Sequence, residues 1–252
     1  GERHLYYATS GRTIRFASEL AGLTKATNAA APLDRTALAH FLQSGYCPAP
    51  QSLLVDHRKL RPGEMIVFEP DETRHQRYWH FPQRSNTTTT PEPRSFDHLL
   101  REAVHRQSEI DVPFGVLLSG GMDSALIAAV ARSLRPAREL PAYCIRFAEA
   151  SFDEGRHAER IAAQLGCPFV PVTVTADSFP SALHELVTTT GEPLADPAWL
   201  PLAHVAKRAS RDVRVLLAGE GADELFGGYP TYLGAQLAGR YARLPAGLRG
   251  LL

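Results

Sequence analysis

Two short stretches carry the residue types that chemistry requires. Ser119-Gly120-Gly121-Met122-Asp123-Ser124 sets two hydroxyls and a carboxylate around adjacent glycines, and Gly219-Glu220-Gly221-Ala222-Asp223-Glu224 sets three carboxylates within five residues. Adjacent glycines let the backbone turn with nothing projecting above it, so that N–H groups face outward as an anion cradle. A helix beginning near Ser124 adds unpaired N–H groups and its positive dipole end at the same place. Asp123 in that loop repels a polyphosphate unless a cation intervenes, and Mg²⁺ takes one or two carboxylates together with phosphate oxygens. The first loop therefore predicts a Mg-nucleotide rather than a bare phosphate. In the second, crowded carboxylates repel one another unless a cation is bound or one holds a proton. The plainer readings are a capped Ser/Gly turn at a helix start and an acidic surface turn before a Gly-Gly hairpin.

Both stretches end an apolar run, residues 114–118 before the first and 215–218 before the second. Strand, loop and helix thus occur twice in the same order. Residues 142–147 and 169–174 read as further strands, and helices are expected from Phe96 to Val104 and over about 153–165, 178–188 and 199–210. Such alternation predicts an α/β fold, a parallel sheet covered by helices on both faces. Ligands of such sheets bind beyond the C-terminal strand ends, where the strand order switches.

The front of the chain is different. Strand-like runs at 4–9 and 13–17 flank the hairpin signal Ser10-Gly11-Arg12, and a helical turn follows at 18–23. Asp34 N-caps an expected helix to Ser44, and strands are expected at 53–55 and 65–68 around the turn Arg61-Pro62-Gly63-Glu64. This is an α+β layer whose hairpin needs further sheet to be stable. Polar, repetitive, proline-bracketed residues separate it from the α/β part. The expected organisation is a first domain at 1–82, a linker at 83–94 and a second domain at 95–252.

Composition excludes several classes. The 252 residues carry 27 basic and 27 acidic side chains, so no net field recruits nucleic acid or an anionic membrane. Only Lys25, Lys59 and Lys207 are lysines, which leaves 24 of the 27 basic residues as arginine, an excess that reads as coding bias. No Gly-Lys-Ser/Thr follows the glycine loop, which argues against a P-loop kinase or GTPase. Cys47, Cys144 and Cys167 are odd in number and widely spaced, which suits a reducing cytoplasm rather than a disulfide framework or zinc site. No apolar run reaches membrane-spanning length.

SGGMDS resembles the pyrophosphate-binding loop, SGGxDS, of ATP pyrophosphatases, which activate a carboxylate, amide or urea-like oxygen as an adenylate. GEGADELFGGY looks like the synthetase motif of asparagine synthetase and its relatives, among them β-lactam synthetases and lasso-peptide cyclases. GERHLYY, FASELAGL, LRPGEMIVF and RYW resemble the tail of a class II glutamine amidotransferase domain, and EPLADPAW falls in the matching order. The resemblance extends over nearly the whole chain. It implies the end of an amidotransferase α+β domain followed by an adenine-nucleotide α-hydrolase-like synthetase domain.

It also implies roles. Ser119, Gly120, Gly121 and Ser124 hold the pyrophosphate of ATP, Asp123 and Asp223 hold Mg²⁺, and Glu220 takes a proton from the attacking amine or ammonia. Leu117, Ile145, Ala218 and Gly219 line the adenosine site through backbone atoms, although Leu117, Ile145 and Ala218 also read as plain strand core. Asp196 reads as the cap of the helix near Trp199, or faces the acceptor. The implied reaction adenylates a carboxylate, aspartate by default, and ammonia from glutamine then displaces AMP. The partners implied are these small molecules, without nucleic acid or membrane, with a homodimer allowed for the full-length protein.

Two features depart from the pattern. A lysine beyond the second motif is expected, yet none follows Lys207, and the glutaminase cysteine belongs at an extreme N-terminus, a place none of the three cysteines holds. With Gly1 in place of a starting methionine, this reads as a fragment truncated at both ends. The competing readings are a related amidotransferase or cyclase of a secondary-metabolite or polysaccharide pathway, another ligase with the same loop, and a non-catalytic nucleotide-binding module.

Overall fold

The computed structural model describes residues 3–27, 31–69, 72–80, 93–136, 139–149 and 153–243. The chain forms two compact units, one of residues 1–90 with 174–204, the other of residues 91–173 with 205–252.

In the first unit, β1 (Tyr6–Ser10) and β2 (Thr13–Ala17) form an antiparallel hairpin whose last pair is Ser10 with Thr13, closing the expected turn over Gly11-Arg12. A two-residue strand, β3 (Arg58–Lys59), joins the other edge of β1. Helix α1 (Leu20–Thr27) buries Leu20 and Leu23 against Tyr6, and α2 (Arg35–Ser44) begins where the Asp34 carboxylate accepts the N–H groups of Thr36 and Ala37. β4 (Glu64–Glu69) pairs with β5 (Glu72–Arg77).

The strand expected at 53–55 is a single bridge between Leu33 and Leu54. The bridge is closed by the Val55 N–H to the Pro32 carbonyl and the Asp34 N–H to the Leu53 carbonyl, while the Leu53 N–H donates to Glu192 Oε1 and the Leu54 N–H to Ser52 Oγ, so the pairing goes no further. The linker expected at 83–94 lies outside the described residues except for Pro93 and Arg94. These open α3 (Pro93–Ser108), with the proline at a first-turn position that needs no N–H donor.

In the second unit, β6 (Phe114–Leu117), β7 (Ala142–Phe147), β8 (Phe169–Val174) and β9 (Val215–Leu217) form a sheet in the order β8-β7-β6-β9. β6 runs parallel to both neighbours. Successive side chains of a strand point to opposite faces, and two clusters result. Val116, Leu118, Ala142, Cys144 and Leu217 pack with Val104 of α3, Ala128 and Ala131 of α4 (Met122–Leu134), and Ala158 and Ala162 of α5 (Gly155–Leu165). Tyr143, Leu117, Ile145, Val170, Val172 and Leu216 pack on the other face with Val205 and Ala209 of the helix at Trp199–Ala209. This is the expected parallel sheet with helices on both faces.

Helix α6 (Phe179–Thr190) belongs to the first unit, α7 (Trp199–Ala209) carries the chain from one unit into the other, and a short α8 (Ala222–Phe226) and α9 (Pro230–Ala242) follow β9. The expected cap of α7 is present, because Asp196 Oδ1 accepts the Ala198 N–H at 2.8 Å. Among the described residues no helix is long and apolar enough to cross a membrane.

Candidate functional site

The strand order places β6, the first strand of its sheet in the chain, beside β9, the last, with β7 and β8 on the far side of β6. The switch in direction therefore falls between β6 and β9, where parallel sheets open a crevice for ligands. Phe114, Gly115 and Val116 pair with Val215, Leu216 and Leu217, so the two strands end level. The loops that follow them are the two chemical stretches singled out from the sequence.

In the first loop Gly120 has φ +91°, a left-handed conformation that favours glycine. Gly121 is the N-cap of α4, so Asp123 lies in the helix's first turn rather than in the loop before it. The Ser124 hydroxyl braces the turn, accepting the Ser119 N–H at 3.1 Å and donating to the Gly121 carbonyl at 3.2 Å. It lies 3.0 Å from Ser119 Oγ, which in turn accepts the Gly121 N–H at 3.3 Å. Ser124 is buried, Asp123 half-buried and Ser119 exposed.

The two loops meet at Gly219. A Cβ at that position would stand 2.9 Å from the Ser124 nitrogen and 3.0 Å from the Asp123 carbonyl carbon, so only glycine lets the second loop come this close to the start of α4. The result is a cavity of about 160 Å³ bordered on one side by Leu117, Ser119, Asp123 and Ser124. Gly219, Glu220, Gly221, Asp223 and Tyr229 border it on the other.

Seven of the eleven residues selected from the sequence therefore share one cavity. Gly120 and Gly121 lie in the loop that forms its wall. Ile145 packs in the apolar cluster around Tyr143, and Ala218 borders a smaller cavity with Leu100, Val104 and Ile127.

Tyr229 closes the second motif, which implies no role for it. It borders the cavity, and its hydroxyl donates to Glu224 Oε1 at 2.9 Å. That hydrogen bond first, then desolvation and the charges of Glu224, Asp223 and Glu220, push the phenol up to about 12. The only sequence signal for it was its position at the end of the acidic, glycine-rich run.

Among the described residues no group of three or more His, Cys, Asp and Glu side chains forms a ready metal cage. Two carboxylates that border one cavity, Asp123 in the first turn of α4 and Asp223 in the first turn of α8, suit a different ion. They fit Mg²⁺, which keeps few protein ligands and shares the rest of its shell with phosphate oxygens and water. The cradle also fits a phosphate chain, since no side chain projects from Gly120 or Gly121.

Comparisons with known proteins agree with this geometry. Residues 95–251 match the family model "Asparagine synthase", and residues 1–79 match "Glutamine amidotransferase domain". The chain is 34% identical over 262 residues to asparagine synthetase [glutamine-hydrolyzing] 1 of Bacillus subtilis, covering all of this chain and 40% of that protein. It is 34% identical over 241 residues to a putative asparagine synthetase of Mycobacterium bovis, covering 92% of this chain and 37% of that protein. It thus spans about 40% of the length of these curated relatives. Among solved structures it is similar to an NH3-dependent NAD synthetase from Campylobacter jejuni, at 15% identity and a TM-score of 0.38, over 56% of this chain and 62% of that one. That likeness is too weak to add to the assignment, which the family models and sequence relatives carry: the chain belongs to the asparagine synthase family.

Proposed function

We propose that the chain is the ATP-dependent, amide-forming part of a ligase of the asparagine synthetase type, with aspartate as the default acceptor and glutamine as the nitrogen source. The observation that carries this reading is the cavity at the β6/β9 switch, where Asp123, Asp223 and Glu220 from two loops border one space beside a glycine-rich helix start. The division into an amidotransferase-like part at 1–82, a linker at 83–94 and a synthetase part at 95–252 belongs to the same proposal.

Mg-ATP, when bound, supplies the activating group: the acceptor carboxylate becomes an adenylate with release of pyrophosphate, and ammonia then displaces AMP to leave the amide. The chain's residues bind, orient and move a proton. Gly120 takes the left-handed conformation that turns the loop, Gly121 leaves the start of α4 without a side chain over it, and the Ser119 hydroxyl, exposed beside it, is available as a further donor. Ser124 keeps that loop in shape through its bonds to Ser119 and Gly121. Asp123 and Asp223 hold the cation from the first turns of α4 and α8. Glu220, an exposed residue that borders the cavity, takes the proton from nitrogen as it attacks. Leu117, Ile145, Ala218 and Gly219 meet the nucleoside through main-chain atoms at the strand ends.

The test is product analysis. The purified chain is incubated with Mg-ATP, ammonium and a panel of carboxylates that includes aspartate. AMP and one amide should form in equal amounts, with one carboxylate and not the others. Formation of ADP, or AMP formation indifferent to the carboxylate, contradicts the proposal.

A further inference from the structure

Beside the anion loop lies a second device that the roles above do not use. Arg146 follows Ile145 near the end of β7, and its guanidinium meets Asp153 as a two-pronged pair, Nε to Oδ1 at 2.7 Å and Nη2 to Oδ2 at 2.6 Å. Asp153 Oδ1 also accepts the Gly155 N–H at 3.3 Å, so one carboxylate joins the strand's side chain to the first residue of α5. Gly155 is buried, and a Cβ there would collide with Cδ and Nε of Arg146. The guanidinium stem thus lies where any other residue at the start of α5 would put its side chain.

The same helical turn faces Gly120. A Cβ on Gly120 would stand 3.1 Å from the Glu154 carbonyl oxygen, 3.2 Å from His157 Cβ and 3.3 Å from the Ala158 nitrogen. The start of α5 is therefore held by Arg146 and Asp153 on one side and backs the left-handed Gly120 on the other. If that turn relaxes, the space that confines Gly120 opens and the cradle loses its backing.

We propose that Arg146 and Asp153 form a clamp that positions the anion loop through the first turn of α5 and so sets the affinity of the site for nucleotide. The functional half of this inference rests on the proposed nucleotide site. Arg146 is a positioning residue: its Nε and one Nη2 donor are engaged by Asp153, and it acts on the loop through Gly155 and the turn behind it. The competing explanation is a field effect, in which Arg146 attracts phosphate by its charge alone.

Gly155→Ala separates the two, because it keeps both charges and displaces the guanidinium. The measurements are Mg-ATP affinity by calorimetry, hydrogen exchange at residues 119–122, and thermal unfolding. The clamp predicts that Arg146→Ala, Asp153→Asn and Gly155→Ala each weaken Mg-ATP binding about tenfold and quicken exchange at 119–122 beyond any general change. It also predicts that Arg146→Ala combined with Asp153→Asn is no worse than either alone. Arg146→Lys, which keeps the charge and loses the fork, should recover less than half of the loss. Wild-type affinity in Gly155→Ala beside weakened binding in Arg146→Ala would establish the field effect and overturn the clamp. Faster exchange spread evenly over the chain would overturn it too, as would unchanged exchange at 119–122. If the wild-type chain binds no Mg-ATP, the nucleotide reading fails, and the exchange data alone then decide whether the clamp holds the loop.

Discussion

Lys59 Nζ lies 2.5 Å from Glu192 Oε2 inside the first unit, with the two side chains only 12% and 8% exposed. Glu192 Oε1 accepts the Leu53 N–H at 2.7 Å, Oε2 accepts the Tyr6 hydroxyl at 3.2 Å, and the Lys59 ammonium donates to the Cys47 carbonyl at 2.6 Å. Burial first, and then the Glu192 carboxylate, push the Tyr6 phenol well above its ordinary range. The pair joins a residue within the amidotransferase match to one within the synthase match.

A pair of this kind is costly to break from one side, because the remaining charge stays buried without its partner; such losses run to about 3–5 kcal/mol. Glu192→Ala should lower unfolding stability by about that amount in urea titrations. Lys59→Met combined with Glu192→Leu should lose less than either single change. Additive losses would show that the two charges do not depend on each other.

Gly219→Ala should drive the two loops apart. Its Cβ would meet backbone atoms of Asp123 and Ser124, which cannot swing aside as a flexible side chain can. We expect a stability loss of about 1–3 kcal/mol, typical of overpacking, and Mg-ATP binding weakened by at least about tenfold, a change of about 1.4 kcal/mol. Gly234→Ala is the control: on α9 a Cβ meets nothing within 4 Å, so stability should hold or rise and binding should not change. Calorimetry and urea unfolding of the two variants side by side check this.

Tyr143 predicts a pH dependence. It is fully buried, its hydroxyl donates to Asp212 Oδ2 at 2.9 Å, and desolvation followed by that hydrogen bond pushes the phenol up to about 12. The folded state thus holds this proton more tightly than the unfolded state, whose phenol titrates near 10. The associated stability is complete below about pH 10 and is lost as pH rises through about 12. Tyr143→Phe should be less stable than the wild type at pH 8, and the gap should narrow between pH 10 and 12 in thermal melts. Tyr6 and Tyr229 titrate in the same direction, so both proteins should still lose stability there. A gap of constant size would contradict the Tyr143 assignment.

The legible parts of the fold are those whose signal is local. Asp34 marks its helix, Gly11-Arg12 its hairpin, and the paired run of apolar strand, glycine and acid marks both loops. Their meeting could be inferred only from the rule for parallel sheets; Gly219 is expected from the resemblance as an adenosine-lining residue, and nothing local in the sequence marks the close approach it permits. β5 went unread because Glu72–Arg77 is exposed along its whole length, so no apolar alternation marks it. Glu192 went unread for a different reason. Its partners Tyr6, Leu53 and Lys59 are remote in the chain. The grouping of residues 174–204 with the front of the chain is likewise set by such remote contacts.

The central claim is that the cavity between the two loops adenylates a carboxylate. ATP–pyrophosphate exchange on the purified chain, with aspartate and a panel of other carboxylates, tests it most directly. We expect exchange that depends on one carboxylate, is abolished in Asp123→Ala, and survives in Glu220→Gln, since that residue acts only when nitrogen attacks. Absence of carboxylate-dependent exchange while Mg-ATP still binds, or full exchange in Asp123→Ala, would contradict it.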